Sequence, residues 1–321
     1  MTSTFLSLLL CSLQALVNVS GWTYDGKTGV NQWAKLFAPC GGQKQSPINI
    51  LSADAEEDLT LKPFKLNGYN SVPANAEWVI ENNAHTVQVN IKSGEYSVQG
   101  GGLPRNYKLL QFHWHWGMTS KEGSEHTVNG KSYPMELHLV HYASNYTSPG
   151  DALDKTNGLA VLGFFIDVQA EDNPFWEGVV NMMSKVAYGG TSAPMPPVIL
   201  AELLPNPDKL NEFYRYGGSL TTPGCFESVI WTVFTEPIRL SEKQLQKFRL
   251  FLRFNKAGEA PEPMVNNYRP VQPLYDRLVY KSVSDDRRGW SMELFLLLAV
   301  MAVACMFYQS VTKTVTTKKA D

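Results

Sequence analysis

The residues with the clearest chemical potential are the six histidines, all of which fall between residues 85 and 141. His113 and His115 stand two residues apart in the aromatic run Gln111–Trp116, whose composition favours a β-strand. Residues i and i+2 of a strand point to the same face, so the two imidazoles should project side by side. His138 lies in a second alternating run, Glu136–His141, and an adjacent strand would bring it to the other two. Three imidazoles with one open position are a ligand set of catalytic zinc sites.

The neighbours of these histidines also suit a metal site. Gln111 lies two residues before His113, and Glu136 lies two residues before His138, so each shares a strand face with its histidine. A metal-bound imidazole needs such a partner for its second ring nitrogen. A single His-x-His pair on a strand is more often structural, but the clustering of every histidine in less than a fifth of the chain favours the metal site.

Four motifs follow one another along the chain: Gln111-Phe-His-Trp-His-Trp-Gly117, Gly123-Ser-Glu-His-Thr-Val128, Glu136-Leu-His-Leu-Val-His141 and Ser219-Leu-Thr-Thr-Pro-Gly224. In type and order they resemble the alpha-class carbonic anhydrases, in particular the membrane-anchored extracellular members, over about residues 22–281. The resemblance implies one α+β, mainly β domain with a large twisted, mostly antiparallel central sheet, few short helices and a zinc site at the bottom of a conical cleft. Periodicity alone supports only a β-rich globular domain.

The resemblance implies a zinc enzyme that hydrates carbon dioxide reversibly to bicarbonate and a proton. Zn²⁺ would be held by His113, His115 and His138, and zinc-bound hydroxide would attack the substrate. The hydroxyl of Thr221 would accept a hydrogen bond from that hydroxide and donate its own proton to Glu125. The two residues would thereby orient the nucleophile.

The resemblance also implies a proton path and a substrate pocket. His85 is the predicted proton shuttle, because an imidazole with a pKa of about 6.5 accepts and releases protons at neutral pH; the alternative is an ordinary surface histidine. Asn267 would hold His115 through its backbone carbonyl, and Tyr24 would lie near the zinc-bound solvent. The predicted substrate wall consists of Val140, Val161, Leu220, Thr222 and Trp231.

Cysteine usage bears on the compartment of the protein. Two of the four cysteines lie in apolar end segments, which leaves Cys40 and Cys225 in the body of the chain. In an exported protein these two could form one bridge, and in a cytosolic protein they would stay free. The resemblance to secreted and membrane-bound members implies the disulfide. The sequon at Asn145 predicts glycosylation if the chain is exported.

The two ends of the chain predict export and membrane attachment. Residues 1–20 are interpreted as a signal peptide, residues 21–281 as the catalytic domain and residues 282–321 as a juxtamembrane segment with a C-terminal membrane anchor. The uncharged stretch Leu294–Tyr308 is short for a spanning helix, and a lipid-anchor signal attached at Ser282 or Ser284 is the alternative. We therefore expect a plasma-membrane protein with an extracellular catalytic domain.

Local patterns predict several elements outside the metal site. A continuous apolar run at residues 158–166 predicts a buried central strand, and residues 228–235 predict another. Residues 175–186 and 241–251 favour helices, the second with Ser241 as its N-cap. The Pro-rich residues 193–198 are interpreted as a linker.

Charge and motif content limit the other functions. A net charge of −2 gives no footprint for nucleic-acid binding. The expected partners are carbon dioxide, bicarbonate, the membrane and bicarbonate transporters. A catalytically weak extracellular binding module on the same fold is the alternative, although the complete set of histidines argues against it. Hydrolysis of activated esters would be a side activity of the same nucleophile.

Overall fold

The computed structural model describes residues 21–283 and Met301. The chain divides into two units, Met1–Ser282 and Val283–Asp321, and the sheet, helices and site below belong to the first. Within the described residues, no helix is both long and apolar enough to cross a membrane. The predicted signal peptide lies outside the described residues, and so does the predicted anchor segment apart from Ser282, Val283 and Met301.

A mixed sheet forms the frame of the domain. In the described part of the chain the strands are β1 Asn49–Ile50, β2 Glu56–Glu57, β3 Phe64–Asn67, β4 Glu77–Asn82, β5 Val87–Ser93, β6 Ser97–Gly100, β7 Tyr107–Trp116, β8 Thr127–Val128, β9 Met135–Ala143, β10 Leu159–Gln169, β11 Thr191–Met195, β12 Phe213–Gly218, β13 Val229–Ser241 and β14 Tyr280–Lys281. Twelve of these strands form one sheet in the order β11-β4-β5-β7-β9-β10-β13-β12-β14-β2, to which β6 and β3 attach beside β7. Most neighbours are antiparallel, so the predicted fold class is confirmed.

The centre of the sheet is the parallel pair β10 and β13. Residues 159–166 of the predicted apolar run form the first eight residues of β10, and all eight are buried, as expected for a strand covered on both faces. The strand predicted at 228–235 is also confirmed, although β13 continues to Ser241. Strand β9 pairs with the other edge of β10 and thereby joins the metal-ligand strands to the most buried part of the sheet.

Helices are short and lie around the sheet. In the described residues they are α1 Trp33–Leu36, α2 Pro149–Ala152, α3 Glu177–Asn181, α4 Leu200–Leu203 and α5 Glu242–Phe251, with 3₁₀ turns at Gly26–Thr28, Val30–Gln32, Ala38–Gly41, Pro174–Trp176, Met183–Val186 and Pro207–Asn211. The helix predicted at 241–251 is confirmed as α5. Its N-cap is Ser241, which forms a reciprocal capping box with Gln244.

Two local predictions are wrong. The helix expected at 175–186 is broken into two 3₁₀ turns and the single α-helical turn α3, because Gly178 and Asn181 are weak helix formers in so short a segment. The linker expected at 193–198 begins inside strand β11. That strand lies at the edge of the sheet, where the missing N–H of Pro194 costs no ladder bond on its outer side.

Alternation along β7 sends aromatic and polar side chains to opposite faces. Phe112, Trp114 and Trp116 are buried in the larger apolar core, and the rings of Trp114 and Trp116 pack edge-on against Phe248 of α5 with centroids 5.7 and 5.4 Å apart. The other face of the strand therefore presents His113 and the residues two positions away from it.

Candidate metal centre

Strand pairing brings three histidines together. His113 and His115 project from one face of β7, and His138 of β9 lies directly opposite His113 in the antiparallel ladder. One ring nitrogen from each histidine lies within 4.8 Å of the other two. The three ring centroids are 4.8–5.2 Å apart. The cluster has the dimensions of a three-imidazole metal site, as the spacing of the histidines predicts.

Each of these rings has its second nitrogen bonded to a different group. Nδ1 of His113 donates to Oε1 of Gln111 at 2.9 Å. Nδ1 of His115 donates to the backbone carbonyl of Asn267 at 2.7 Å, and Nε2 of His138 donates to Oε1 of Glu136 at 2.7 Å. These bonds fix the ring tautomers, so a lone pair remains on Nε2 of His113, Nε2 of His115 and Nδ1 of His138.

Burial keeps the three imidazoles neutral. It lowers the pKa of His113 well below the ordinary value, and the neighbouring His115 and His138 lower it further. Burial likewise lowers the pKa of His115 to about 3, and the pKa of His138 is lowered by the same cause. Metal ligation requires deprotonated nitrogens, so the site is prepared for a cation at neutral pH.

Glu136 supports a second histidine as well. Its Oε1 accepts from both His138 and Nδ1 of His126, each at 2.7 Å, and its Oε2 accepts from the backbone N–H of His126 at 2.8 Å. Burial alone would raise the pKa of Glu136, but the two imidazoles hold it well below the usual range. His126, Glu136 and His138 are close enough to resemble a metal site, yet their facing atoms already bond one another.

A carboxylate and a hydroxyl lie beside the cluster. Oε2 of Glu125 is 3.4 Å from Nε2 of His115, and neither atom has a hydrogen-bond partner within the described residues. Oε1 of Glu125 accepts from the backbone N–H of Arg269 at 2.8 Å. Burial raises the pKa of Glu125, whereas hydrogen bonds from the Thr221 side chain and Arg269 lower it. The predicted pair Thr221 and Glu125 is therefore together at the site.

An apolar wall flanks the histidines. Val140 of β9, Val161 of β10 and Trp231 of β13 lie opposite one another across three neighbouring strands. With Leu220, Thr221 and Thr222 they line a cleft of about 40 Å³ that also contains the three imidazoles. Every residue predicted for the substrate wall thus lies in this cleft, whose volume suits a very small molecule.

Comparison with known proteins identifies the family of this chain. A family model described as eukaryotic-type carbonic anhydrase matches residues 28–283. The chain belongs to this family. Carbonic anhydrase 15 of Mus musculus is 39% identical over 286 residues, which cover 86% of this chain and 88% of that protein. Carbonic anhydrase 12 of Homo sapiens is 39% identical over 299 residues, 91% of this chain and 82% of that protein. Carbonic anhydrase 7 of Homo sapiens is 41% identical over 265 residues, 82% of this chain and 97% of that protein.

Membership of the carbonic anhydrase family defines the reaction class. The chain is a carbonate dehydratase, a lyase that hydrates carbon dioxide reversibly, in a family that depends on zinc. The sequence motifs that predicted this family are those that the fold gathers at the cleft: the two ligand strands and the loop that carries Thr221.

Two residues predicted near the metal lie on a neighbouring groove of this carbonic anhydrase. The ring of His85 stacks on Trp22 with centroids 3.7 Å apart, and both line a groove of about 720 Å³ together with Tyr24. Burial lowers the pKa of His85 to about 4, below the value of about 6.5 that an exposed imidazole would have. Burial also raises the pKa of Tyr24, whose hydroxyl lies close enough to Glu125 for the carboxylate to raise it further.

The disulfide lies beside the metal cleft, because the backbone N–H of Cys225 donates to the carbonyl of the cleft residue Thr222 at 2.9 Å. Cys40 and Cys225 form a disulfide, as predicted for an exported chain. Asn145 is exposed on the segment after β9, and its Oδ1 accepts from Arg105 at 3.0 Å. The side-chain amide nitrogen, which is the atom that glycosylation modifies, is not the atom engaged by Arg105.

Sequence reasoning missed some residues of the cleft. Thr86 lines it, and its hydroxyl donates to the backbone carbonyl of Trp114, between the two ligands of β7. Thr86 lies two residues before Gln88, a cleft residue on the same strand edge, and that spacing could have identified it. No local pattern marks the backbone N–H of Arg269 as the donor to Glu125.

Proposed function

We propose that this chain binds zinc through His113, His115 and His138 and hydrates carbon dioxide at the extracellular face of a membrane. One observation carries the proposal. The second ring nitrogens of the three histidines are bonded to Gln111, the Asn267 carbonyl and Glu136, and the remaining three nitrogens lie within 4.8 Å of one another.

The donor set fits zinc. Neutral imidazole nitrogens in a set of three, with a fourth position left open, are suited to catalytic Zn²⁺. Nε2 of His115 and Oε2 of Glu125 are buried atoms without partners in the described part of the chain, and a dication would compensate both. Nearby positive charge also favours the ionised form of Glu125, against the effect of burial.

The chain's own residues supply orientation. When bound, zinc would act as a Lewis acid that makes a water molecule nucleophilic at neutral pH. Thr221 lines the cleft, and its side chain lies close enough to Glu125 to lower the pKa of that carboxyl. In the proposed mechanism its hydroxyl donates its proton to the Glu125 carboxylate and turns its lone pairs to the cleft. An acceptor fixed in this way selects one orientation of the attacking water and of the bicarbonate product.

The apolar wall holds the substrate. Carbon dioxide carries no charge, so apolar side chains that offer no strong hydrogen bonds are sufficient to position it. Val140, Val161 and Trp231 are at most 2% exposed and form a continuous row at the cleft. Bicarbonate is charged and is less stable against this wall, which favours its release.

His85 is the proposed proton acceptor at the mouth of the site. In its position against Trp22 the ring is a weak base with a pKa of about 4. A proton acceptor works best when its pKa lies near the operating pH. The ring would therefore accept protons only after it leaves Trp22 and becomes hydrated.

Two features of the domain support the proposed extracellular location. A disulfide between Cys40 and Cys225 suits an oxidising compartment, and Asn145 is exposed for glycosylation. Three features stay predictions from the sequence: the signal peptide at 1–20, the membrane anchor at 282–321 with its type, and association with bicarbonate transporters. Alkaline carbonate extraction and phospholipase C treatment of cells that express the full chain would separate a spanning helix from a lipid anchor.

Stopped-flow hydration of carbon dioxide, with zinc content measured on the same full-length sample, tests the proposal. We expect one zinc per chain and fast turnover that a chelator abolishes. The variant His113→Asn should lose both, while His85→Asn, which lies outside the cluster, should keep its zinc and lose rate mainly at low buffer concentration. One zinc per chain without hydration of carbon dioxide would contradict the proposed enzymatic activity and favour the extracellular binding module.

A further inference from the structure

The side chain of Asn267 takes the place of a missing strand beside β7. In the described structure, β5 pairs with β7 only as far as Gln88. Beyond that point Oδ1 of Asn267 accepts from the backbone N–H of Trp116 at 2.8 Å, and Nδ2 donates to the carbonyl of Trp114 at 3.4 Å. These two peptide groups flank the metal ligand His115, and they are the groups that one residue of a parallel neighbouring strand would bond.

The same amide also reaches the proposed proton acceptor. Nδ2 of Asn267 donates to the backbone carbonyl of His85 at 3.2 Å, and the residue is completely buried. Its own backbone carbonyl accepts from the ring of His115. One residue therefore bonds a metal-ligand ring, the peptide groups on both sides of that ligand, and the backbone of His85.

We propose that the Asn267 side chain is a positioning group that holds the strand around His115 and the backbone of His85 as one unit. This inference rests on the proposed zinc-dependent function and extends it, since the family resemblance assigned a role only to the backbone carbonyl of Asn267. Without the amide, the buried N–H of Trp116 and the carbonyl of His85 would lose their bonds. A displacement of about 0.5 Å is enough to weaken a metal or catalytic site.

Two substitutions test the side chain of Asn267 while leaving its backbone carbonyl in place. Asn267→Asp keeps the shape and the acceptor for Trp116 but has no N–H for the carbonyls of Trp114 and His85. Asn267→Ser is shorter and loses most of both interactions. The matched control is Asn266→Asp, because the side chain of the neighbouring Asn266 accepts from the backbone N–H of Met118 and, within the described residues, forms no hydrogen bond with His85 or His115.

Three measurements on the full-length protein test the proposal: the rate of zinc loss to a chelator, hydrogen exchange of the Trp116 amide in the metal-free protein, and turnover at low and high buffer concentration. In both Asn267 variants zinc should leave at least about 10-fold faster than in the wild type, and turnover should fall more at low than at high buffer. The Trp116 amide should exchange faster in Asn267→Ser. Exchange in β10 and β13 should not change, and Asn266→Asp should behave as the wild type.

Zinc loss within twofold of the wild type, or an unchanged ratio of the two turnover rates, would overturn the proposal. If Asn267→Asp does not fold, Asn267→Ser decides the result. A wild-type protein without zinc or hydration would instead contradict the proposed function. Even then, slow exchange of the Trp116 amide in metal-free Asn267→Ser would independently show that the side chain does not hold the strand.

Discussion

At the scale of single residues, the metal centre is defined by the groups behind the ligands as much as by the ligands. Glu136 is completely buried and bonds His138, while the amide Gln111 and a backbone carbonyl support His113 and His115. One carboxylate and two neutral acceptors orient the rings without cancelling the charge of a bound dication.

Glu136→Gln should weaken zinc binding by about 10- to 100-fold, because an amide is a weaker acceptor than a carboxylate and cannot accept from both His138 and His126 equally well. Competition with a chromogenic chelator measures this affinity. Glu171→Gln removes the same charge from an exposed residue and should bind zinc as the wild type does. Equal affinities in the two variants would show that the Glu136 carboxylate does not support the ligand.

At the scale of elements, each strand contributes to the site through its register. His113 lies opposite His138 because β7 and β9 are antiparallel neighbours, and Val161 contacts both sides of the wall because β10 lies between β9 and β13. A shift of one residue in any of these pairs would turn the functional side chains to the opposite face.

Helix α5 stabilises the back of β7 and depends on its N-cap. Ser241→Ala removes the acceptor for the N–H of Gln244, so the free energy of unfolding should fall by about 1 kcal/mol. Urea denaturation measures the change. Ser184→Ala, which alters an exposed serine outside a capping box, should have little effect, and equal losses in both variants would contradict the capping argument.

The sequence was most informative where function imposes a spacing. The alternation around His113 and the two-residue offset of Gln111 placed the ligands and their supports on one face, and the apolar run at 158–166 located the central strand. It could not show that Asn267 substitutes for a strand, because that depends on where β5 leaves β7. It also gave His85 an ordinary pKa, since the contact with Trp22 joins residues far apart in the chain.

At the scale of the whole molecule, one covalent link joins the N-terminal segment to the loop that follows Thr221. Cys40 and Cys225 are 185 residues apart in the sequence. Replacing both with alanine should lower the free energy of unfolding by about 2–5 kcal/mol, the loss that is typical when a small secreted domain loses a native disulfide. Chemical denaturation of the variant and of the wild type with reductant should give similar losses. An unchanged midpoint in both would show that the link adds no stability.

Buried histidines should make the metal-free protein sensitive to acid. Burial lowers the pKa of His141 to about 4 although its Nδ1 donates to backbone carbonyls and its Nε2 accepts from Tyr69. The unfolded chain, with a histidine pKa of about 6.5, binds more protons than the folded chain between these pH values. Stability should therefore fall as the pH drops from about 6.5 to about 4, by roughly 3 kcal/mol from this group.

Urea titrations of the metal-free protein at several pH values within this window measure the slope. His141→Gln cannot take up a proton and should give a shallower dependence on pH than the wild type, although it loses stability at neutral pH. The same slope in both proteins would exclude His141 as a source of the acid sensitivity.

Because β10 pairs in parallel with β13, the cleft combines strands from different parts of the sequence. The ligand strands β7 and β9 are neighbours in the main sheet, and only the short β8 lies between them along the chain, whereas Trp231 of β13 follows much later in the sequence. Contacts between distant residues form slowly because a long loop must first close. A refolding chain should thus bring His113, His115 and His138 together before Trp231 completes the wall and before Asn267 supports His115, so weak metal uptake should precede both tight binding and the recovery of activity.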